Sequence, residues 1–337
     1  MSRSRRRETI ASSTEGGQVR VWVPYSTFVT DVESLGRGVE VDVFTGEGAP
    51  PASIASVQFY VVPYSFTPTT LEITAQMASL QVMQTLTAGY EHVLPYLPPN
   101  VTLCNARGVH DSSTAELALT LMLASLRGIP DFVRGQDQGD WRHAEHPALA
   151  DKTVLILGYG SIGAAIERRL TPFETRIIRV ASRSRPTDEV HGVDELATLL
   201  PTADVVVVST PLTPATTRLV DAAFLAAMRD GALLVNVARG AVVDTNALLA
   251  ELTSGRLRAA LDVTDPEPLP ADHPLWNAPG LLISPHVGGN TSAFLPRAQR
   301  LVRAQVARFV AGEALENVVA GPVGPSVAVP TQAATGV

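Results

Sequence analysis

The chain has 337 residues, of which 45% are hydrophobic, and its formal net charge at pH 7 is -7. A single hydrophobic core rarely grows past ~250 residues, so this length predicts two domains. The acidic balance argues against a general nucleic-acid-binding protein. Cys104 is the only cysteine, which excludes an intrachain disulfide and a thiolate metal cluster. We interpret it as a buried, unreactive side chain.

The two ends of the sequence differ in composition from the rest. Residues 1–17 begin with a basic cluster but lack the apolar stretch of a secretory signal, and residues 322–337 are rich in Pro, Val and Ala. We expect both segments to be flexible tails. No apolar run approaches the ~18 to 20 residues that a membrane span needs, so we expect a cytoplasmic protein.

Apolar runs of strand length recur through the first 110 residues, with helical patterns between them. This alternation predicts a parallel α/β sheet. We assign residues 1–110 to one domain, completed by a C-terminal helical segment at 292–320. The runs cover residues 19–23, 39–44, 57–62, 80–86 and 101–106.

The segment "DSSTAELALTLMLASLRGIP" predicts one long helix over residues 112–127. Polar residues suited to a helix start open it, and the Gly-Ile-Pro sequence at 128–130 is typical of a helix stop. Its many apolar residues predict burial on most of its surface. The polar residues 134–152 that follow are expected to form a connection.

A second series of strand-length runs occupies residues 111–291, which we assign to a second domain. The rhythm of strands and helices predicts a doubly wound parallel sheet. Asp244 is a plausible N-cap for the helix that follows it. The runs cover residues 154–157, 177–181, 204–209, 232–238, 258–263 and 281–284.

The sequence "VLILGYGSIGAAIERRL" places three glycines directly after a strand and at the start of a helix. This is the context of a dinucleotide-binding fingerprint. Gly158 permits the tight turn, Gly160 lets the pyrophosphate approach the backbone, and Gly163 lets the helix pack on the sheet. A glycine-rich turn without a ligand would leave it unexplained why all three positions are filled. The predicted site also includes Tyr159, Ser161 and Ile162.

The next strand ends in "RIIRVASRSRP", where a dinucleotide-binding unit normally supplies an acid for the ribose hydroxyls. Ala181 and Ser182 stand there instead, and Arg183 and Arg185 follow. An arginine at this place accommodates the 2′-phosphate of NADP. We therefore predict a 2′-phosphate site at Ser182, Arg183 and Arg185, with NADPH preferred and NAD possible. The alternative is a solvated surface turn.

Three later segments, "LLVNVARGAVVDTNALLAEL", "AALDVTDPEPLPADHPLW" and "LLISPHVGGNTS", resemble the D-isomer-specific 2-hydroxyacid dehydrogenase family. In that family they contain an arginine, a glutamate and a histidine, which match Arg239, Glu267 and His286 here. The likeness extends from about Gly89 to Ser292. It implies a Rossmann cofactor domain and a smaller flavodoxin-like α/β substrate domain, both of the α/β class.

The resemblance implies reduction of glyoxylate- or hydroxypyruvate-like 2-keto acids by hydride transfer. The residue types suit that chemistry: Arg239 can bind a carboxylate bidentately, and His286 can donate a proton to the carbonyl oxygen. Glu267 would stabilise the protonated imidazole. Alternatives remain, in which the arginine is a chance surface residue, the histidine is structural, and the "EPLP" sequence is only a rigid turn.

The resemblance also implies further contacts. The backbone N–H groups of Ala88 and Gly89 are candidates for the substrate carboxylate, although a plain strand-to-helix turn is the alternative. Asp262 matches a position that holds the nicotinamide carboxamide, with a helix-capping or turn role as the alternative. The remaining residues predicted to contact the cofactor are Thr114, Thr210, Pro211, Val237, Ala238 and Gly288.

Two residues depart from the family pattern. Thr264 stands where an aromatic residue is common and could alter the shape of the pocket. Glu174 stands where glycine is usual, and we expect a different turn there. No ligand set for a metal is evident, and we expect a homodimer with a small-molecule substrate and no nucleic-acid or membrane partner.

Two other functions stay open at this point. Transcriptional corepressors called C-terminal-binding proteins resemble the same family, which makes a dinucleotide-sensing regulator an alternative. Oxidation of phosphoglycerate or formate is a third possibility, because dehydrogenases of this family for those substrates have similar residues at the three positions. No appended regulatory domain is evident, which we take as an argument against phosphoglycerate.

Overall fold

The computed structural model describes residues 18–64 and 67–322. The predicted tails therefore lie outside the described residues, except for Pro322, whose carbonyl oxygen accepts a hydrogen bond from Oγ1 of Thr102 at 3.1 Å. The chain divides into two compact units, which are described separately below. The smaller unit takes in the described parts of Met1–Leu86, Val93–Cys104 and Gln299–Val337, and the larger unit takes in Thr87–His92 and Asn105–Ala298.

Strands and helices alternate along the described residues. The strands are β1 (Val19–Val23), β2 (Val39–Val43), β3 (Phe59–Val61), β4 (Val82–Gln84), β5 (Thr102–Cys104), β6 (Thr153–Leu157), β7 (Arg176–Ala181), β8 (Val190–Gly192), β9 (Val205–Val208), β10 (Leu233–Asn236), β11 (Arg258–Leu261), β12 (Leu281–Ile283) and β13 (Val318–Ala320). The α-helices are α1 (Val29–Glu33), α2 (Thr69–Glu72), α3 (Asp111–Leu126), α4 (Ile129–Gln138), α5 (Ser161–Leu170), α6 (Leu196–Leu199), α7 (Ala222–Ala227), α8 (Thr245–Thr253) and α9 (Phe294–Ala311).

The smaller unit is built on a sheet in the order β13-β5-β4-β3-β1-β2. Strands β1 to β5 pair in parallel, in the 2-1-3-4-5 order of flavodoxin-like folds. Strand β13 adds an antiparallel edge beside β5. The aromatic side chains of Trp22, Phe59 and Tyr60 are fully buried in its core. The predicted flavodoxin-like class is therefore confirmed.

The larger unit has a parallel sheet in the order β12-β11-β10-β9-β6-β7-β8. The order reverses between β6 and β9, which is the topological switch of a Rossmann fold. Because both faces of the sheet are covered, the four valines of β9 are fully buried. The predicted doubly wound class is confirmed.

The long helix α3 begins and ends within a residue of the prediction, but the Gly-Ile-Pro sequence does more than stop it. Gly128 adopts a left-handed conformation with φ of 67°, and Ile129 and Pro130 open helix α4. Proline is tolerated in a first helical turn, where its missing N–H needs no partner. The expectation that a simple connection follows α3 was therefore wrong for residues 134–138.

The sequence prediction missed two short strands, and two single residues are informative about local turns. Strands β8 and β13 have three residues each, too few for a periodic signal, and were missed. Glu174 adopts a left-handed φ of 60° at the end of a short 3-10 turn. This is a conformation that favours glycine, and the glutamate adopts it nonetheless. Asp244 caps α8 as predicted, accepting N–H bonds from Asn246 and Ala247 at 3.0 Å.

Candidate active site

The predicted site residues follow neighbouring strands of the larger unit. Arg239 comes three residues after β10, Glu267 lies in the long loop after β11, and His286 comes three residues after β12. Since these strands are adjacent and parallel, their carboxyl ends meet at one edge of the sheet. The glycine turn after β6 lies at the same edge, beside the reversal of strand order.

The glycine turn has the shape that a dinucleotide requires. Gly158 has φ of 105°, and a Cβ atom there would lie 2.6 Å from the backbone N of Thr210. A Cβ on Gly163 would lie 2.9 Å from the carbonyl oxygen of Gly158, so this glycine allows α5 to pack closely. Around Gly160, in contrast, no described atom lies within 4 Å of a built Cβ. The turn therefore leaves room for a pyrophosphate at the N-terminus of α5.

Backbone hydrogen bonds connect the carboxyl end of β7 to this turn. The N–H groups of Gly158 and Tyr159 both donate to the carbonyl oxygen of Val180, at 2.9 and 2.8 Å. Ser182 and Arg183, which follow β7, are exposed beside the turn. Nη2 of Arg185 donates to the carbonyl oxygen of Tyr159 at 2.9 Å, and its Cζ lies 5.8 Å from the centroid of the tyrosine ring. The predicted 2′-phosphate residues therefore border the fingerprint.

A network behind the turn was not predicted. The hydroxyl of Tyr159 donates to Glu167, which also accepts from Nε of Arg179 at 3.0 Å. The hydrogen bonds and charge of Arg179 outweigh partial burial and lower the pKa of the Glu167 carboxyl. Burial and the neighbouring Glu167 raise the pKa of Tyr159. This network ties the tip of the glycine turn to α5 and β7.

Asp262 organises the loop that contains His286. Its buried carboxylate accepts from Oγ of Ser284 at 2.7 Å and from the N–H groups of Val287 and Gly288 at 2.9 Å. These bonds give Asp262 a structural role in the turn, and its contact with the nicotinamide carboxamide stays a prediction. A Cβ on Gly288 would lie 3.6 Å from Oγ1 of Thr114. Thr114, which was also predicted to contact the cofactor, therefore lies close to the loop that contains His286.

His286 and Glu267 are directly paired through Nδ1 of the imidazole and Oε1 of the carboxylate. Their side chains are 31% and 39% exposed, so both are only partly buried. His286 adopts φ of 52°, and its backbone N–H donates to the carbonyl oxygen of Asp262 at 2.7 Å. The loop with Glu267 is anchored where Oγ1 of Thr245 donates to the carbonyl oxygen of Asp265 at 2.8 Å.

Arg239 is held by contacts that the sequence did not predict. Nδ2 of Asn236 donates to the carbonyl oxygen of Arg239 at 3.0 Å, and Oδ1 of Asn236 accepts from the N–H of Ala238 at 3.0 Å. The Arg239 side chain donates from Nε to Glu91 at 2.6 Å and from Nη1 to the carbonyl oxygen of Ala238 at 2.7 Å. A Cβ on Gly240 would overlap the backbone of Thr264, so the loops after β10 and β11 touch here.

The turn at residues 87–89 is fixed through its carbonyl groups. Oγ1 of Thr87 donates to the carbonyl oxygen of Gly89 at 2.7 Å, and Nδ2 of Asn105 donates to that of Ala88 at 2.7 Å. Within residues 18–64 and 67–322, the N–H groups of Ala88 and Gly89 donate no hydrogen bond. A carboxylate could therefore use both donors.

The remaining predicted cofactor residues line the same edge. Oγ1 of Thr210 donates to the carbonyl oxygen of Leu157 at 2.9 Å, which places Thr210 and Pro211 beside the glycine turn. Val237 and Ala238 are buried in the segment that leads to Arg239. Asn236, Ser284 and Glu91 were missed, and the signal for the first two is a polar residue at the end of an apolar strand.

Other kinds of site find no support in the described part of the chain. No group of three His, Cys, Asp or Glu residues is arranged to hold a metal ion within those residues. Cys104 is buried, and burial raises the pKa of its thiol to about 12. Among the helices of residues 18–64 and 67–322, none is long and apolar enough to cross a membrane.

Comparisons with known proteins agree with this geometry. Residues 119–288 match the family model described as D-isomer specific 2-hydroxyacid dehydrogenase, NAD binding domain. A glyoxylate reductase/hydroxypyruvate reductase from Mus musculus is 36% identical over 226 residues, which cover 64% of this chain and 69% of that protein. A D-3-phosphoglycerate dehydrogenase from Methanocaldococcus jannaschii is 33% identical over 229 residues, covering 66% of this chain and 44% of that protein.

A solved structure extends the likeness to both units. The D-isomer specific 2-hydroxyacid dehydrogenase from Xanthobacter autotrophicus Py2, in complex with NADPH and MES, aligns with a TM-score of 0.76 and 29% identity. The alignment covers 90% of this chain and 98% of that one. The chain belongs to the D-isomer-specific 2-hydroxyacid dehydrogenase family, whose members are NAD(P)-dependent oxidoreductases. The family and enzyme class predicted from the sequence are confirmed.

Proposed function

We propose that this protein reduces glyoxylate- or hydroxypyruvate-like 2-keto acids to 2-hydroxy acids, with the D configuration where C2 is a stereocentre, and with NADPH preferred over NADH. The observation that supports it most directly is the His286–Glu267 pair at the sheet edge where Arg239 also lies. A keto acid needs a cation for its carboxylate and a proton donor for its carbonyl oxygen. The larger unit offers both beside a turn suited to a dinucleotide.

The proton donor in this proposal is His286. Glu267 engages Nδ1 and thereby orients the ring, so Nε2 is the nitrogen that gives its proton to the carbonyl oxygen. The hydrogen bonds that the Asp262 carboxylate accepts from the N–H groups of Val287 and Gly288 hold the loop next to the histidine during this step. General acid catalysis of this kind contributes about 10²- to 10⁴-fold to a rate.

Arg239 binds the substrate carboxylate in this proposal, together with the N–H groups of Ala88 and Gly89. Its charge also polarises the carbonyl and stabilises the negative charge that develops on the oxygen. A bound nicotinamide cofactor, held by the fingerprint glycines, Thr210 and Asp262, would supply the hydride to C2.

The experiment that tests the proposed function is a comparison of kcat/KM across a substrate panel with each cofactor. The panel contains glyoxylate, hydroxypyruvate, pyruvate and 3-phosphohydroxypyruvate, with formate tested as an oxidisable substrate. We expect the small unphosphorylated keto acids to be turned over best with NADPH. A higher kcat/KM for 3-phosphohydroxypyruvate or formate would replace the substrate assignment, and no turnover of any compound would refute an enzymatic function.

The preference for NADPH rests on the end of β7. No carboxylate stands at Ala181 or Ser182 to meet ribose hydroxyls or to repel a phosphate, and Arg183 and Arg185 are exposed there. We expect Arg183→Ala to raise the KM for NADPH about 10- to 100-fold, as loss of a charge-assisted hydrogen bond predicts, and to leave the KM for NADH within about twofold. Initial rates with each cofactor measure this.

Arg176→Ala is the matched control, because Arg176 is an exposed arginine at the opposite end of the same strand. It should change neither KM. If wild-type protein has the higher kcat/KM with NADH, Ser182, Arg183 and Arg185 form a solvated turn and the cofactor assignment fails.

A homodimer is also part of the proposal. Helix α4 and the segment after it expose large apolar side chains, with Trp141 91% and Val133 52% accessible in the single chain. Such a group of apolar residues is costly to leave in water, and a second copy of the chain would cover it. Phe132 and Ile129 belong to the same group.

We expect sedimentation velocity to give a dimer for the wild-type protein and a shift toward monomer for Val133→Asp with Trp141→Ser. Substitution of Val193 by Asp, which changes an exposed valine elsewhere on the larger unit, should leave the dimer intact. A wild-type monomer at micromolar concentration would contradict the proposal.

A further inference from the structure

The ion pair between Arg239 and Glu91 involves a residue with no part in the chemistry described so far. Nε of Arg239 donates to Oε1 of Glu91 at 2.6 Å, and Nη1 donates to the carbonyl oxygen of Ala238 at 2.7 Å. The two side chains are 28% and 32% exposed, so water screens the pair less than it screens a surface salt bridge. Contacts through two different nitrogens fix the plane of the guanidinium as well as its position.

These contacts determine which edge of the guanidinium stays available. A guanidinium has five N–H donors in a rigid fork. Glu91 occupies Nε, whereas Nη2 lies against Gly89, so close that a Cβ atom at residue 89 would overlap it. Among the described residues, the Arg239 side chain donates hydrogen bonds from Nε and Nη1 and none from Nη2. Its donors are therefore open beside the turn whose N–H groups, on Ala88 and Gly89, are open as well.

We propose that Glu91 is a positioning residue, which holds Arg239 through Nε so that the Nη2 edge meets the substrate carboxylate beside the Ala88–Gly89 turn. This inference rests on the proposed function. Glu91 acts only through Arg239 and touches neither the keto acid nor the cofactor.

The charge of Glu91 is compatible with this role. Burial disfavours its ionised form, but the charge and hydrogen bond of Arg239 outweigh burial and hold the pKa of the Glu91 carboxyl below its ordinary value. Glu91 is therefore a carboxylate throughout the neutral range. An unpaired Glu91 carboxylate would repel an anionic substrate. Because Glu91 is bonded directly to Nε, its negative charge is balanced by the positive charge of Arg239.

Gly89 provides an independent means of disturbing the same arrangement. A Cβ atom there would overlap Nη2, would lie 2.7 Å from Cζ of Arg239, and would lie 3.0 Å from Oε2 of Glu91. The position needs the absence of a side chain, because the space is filled by the guanidinium. An alanine would push Arg239 away from the orientation that Glu91 imposes.

The test measures kcat, the KM for the keto acid and the KM for NADPH in three variants of the full chain. Glu91→Ala should lower kcat/KM for the keto acid about 10- to 100-fold, mainly through KM, with the KM for NADPH within about twofold. Glu91→Gln keeps an oxygen acceptor for Nε and should recover kcat/KM to within about threefold of wild type. Gly89→Ala should reproduce the Glu91→Ala defect.

Glu251→Ala is the matched control. Glu251 accepts from Nε of Arg256 at 2.7 Å with side chains 21% and 24% exposed, so this pair resembles the Glu91 pair away from the site. Its loss should lower the melting temperature but leave kcat/KM unchanged.

Three results would overturn the inference. An increase in kcat/KM for Glu91→Ala would make Glu91 a competitor of the substrate, and an unchanged value would make the pair irrelevant. A loss in Glu91→Ala that Glu91→Gln does not restore would point to the charge rather than the orientation. Absence of keto-acid turnover in the wild-type protein would instead refute the proposed function, so the two failures are distinguishable.

Discussion

Replacing His286 by asparagine is expected to lower kcat for keto-acid reduction by about 10²- to 10⁴-fold, with the KM for NADPH within about threefold of wild type. The imidazole, paired with Glu267 through Nδ1, is the proton donor in the proposed reaction. Asparagine is similar in size and polarity, but it cannot exchange a proton near neutral pH. Steady-state rates at saturating NADPH measure the loss, which should fall on kcat rather than on cofactor binding.

The control for this variant is His191→Asn. His191 also pairs through Nδ1 with a carboxylate, on Glu195 at 2.7 Å, and both side chains are 41% exposed. It should retain wild-type kcat because it does not follow β10, β11 or β12. Glu267→Gln should give a smaller loss than His286→Asn, since the imidazole remains. A His286→Asn enzyme with wild-type kcat would remove the histidine from the mechanism.

Replacing Arg239 by alanine is expected to lower kcat/KM for the keto acid by about 10³-fold. The estimate corresponds to two charge-assisted hydrogen bonds of about 2 kcal/mol each, lost from the substrate carboxylate and the developing oxyanion. Both KM and kcat should change, because one contact exists in the bound substrate and the other strengthens in the transition state. Arg239→Lys should recover only part of the loss, since an ammonium lacks the planar fork.

Arg256→Ala is the control for this series. Arg256 is a half-buried arginine of the larger unit that donates to Glu251, and also to the carbonyl oxygens of Leu225 and Met228. Its removal should reduce thermal stability without changing kcat/KM in the protein that remains folded. If Arg239→Ala retained wild-type kcat/KM, Arg239 would have no role in substrate binding.

The sequence predicts the architecture well where the physical signal is strong. Parallel strands buried on both faces, such as Val205–Val208, are continuous apolar runs and are easily recognised. The glycine fingerprint is equally readable, because Gly158 and Gly163 satisfy steric demands of the turn itself. Residues whose roles depend on their own local backbone can therefore be identified from the sequence alone.

Features that depend on distant contacts are not visible in the sequence. Glu91 and Arg239 are separated by 148 positions, and nothing near Glu91 indicates its partner. The Gly128–Pro130 sequence is compatible with the end of a helix and also with the start of one, and tertiary packing determines which of them forms. Asp262 was predicted as a cofactor-binding residue, but its bonds to Ser284, Val287 and Gly288 are visible only in the folded loop.

The most direct test of the proposed function follows the hydride. Hydroxypyruvate is incubated with the wild-type protein and NADPH dideuterated at C4, and the product is analysed by mass spectrometry after separation of the glycerate enantiomers. We predict D-glycerate with one deuterium at C2. Unlabelled glycerate, labelled L-glycerate, or no deuterated 2-hydroxy acid from hydroxypyruvate or any other 2-keto acid would contradict the assignment of a D-2-hydroxyacid dehydrogenase reaction to this site.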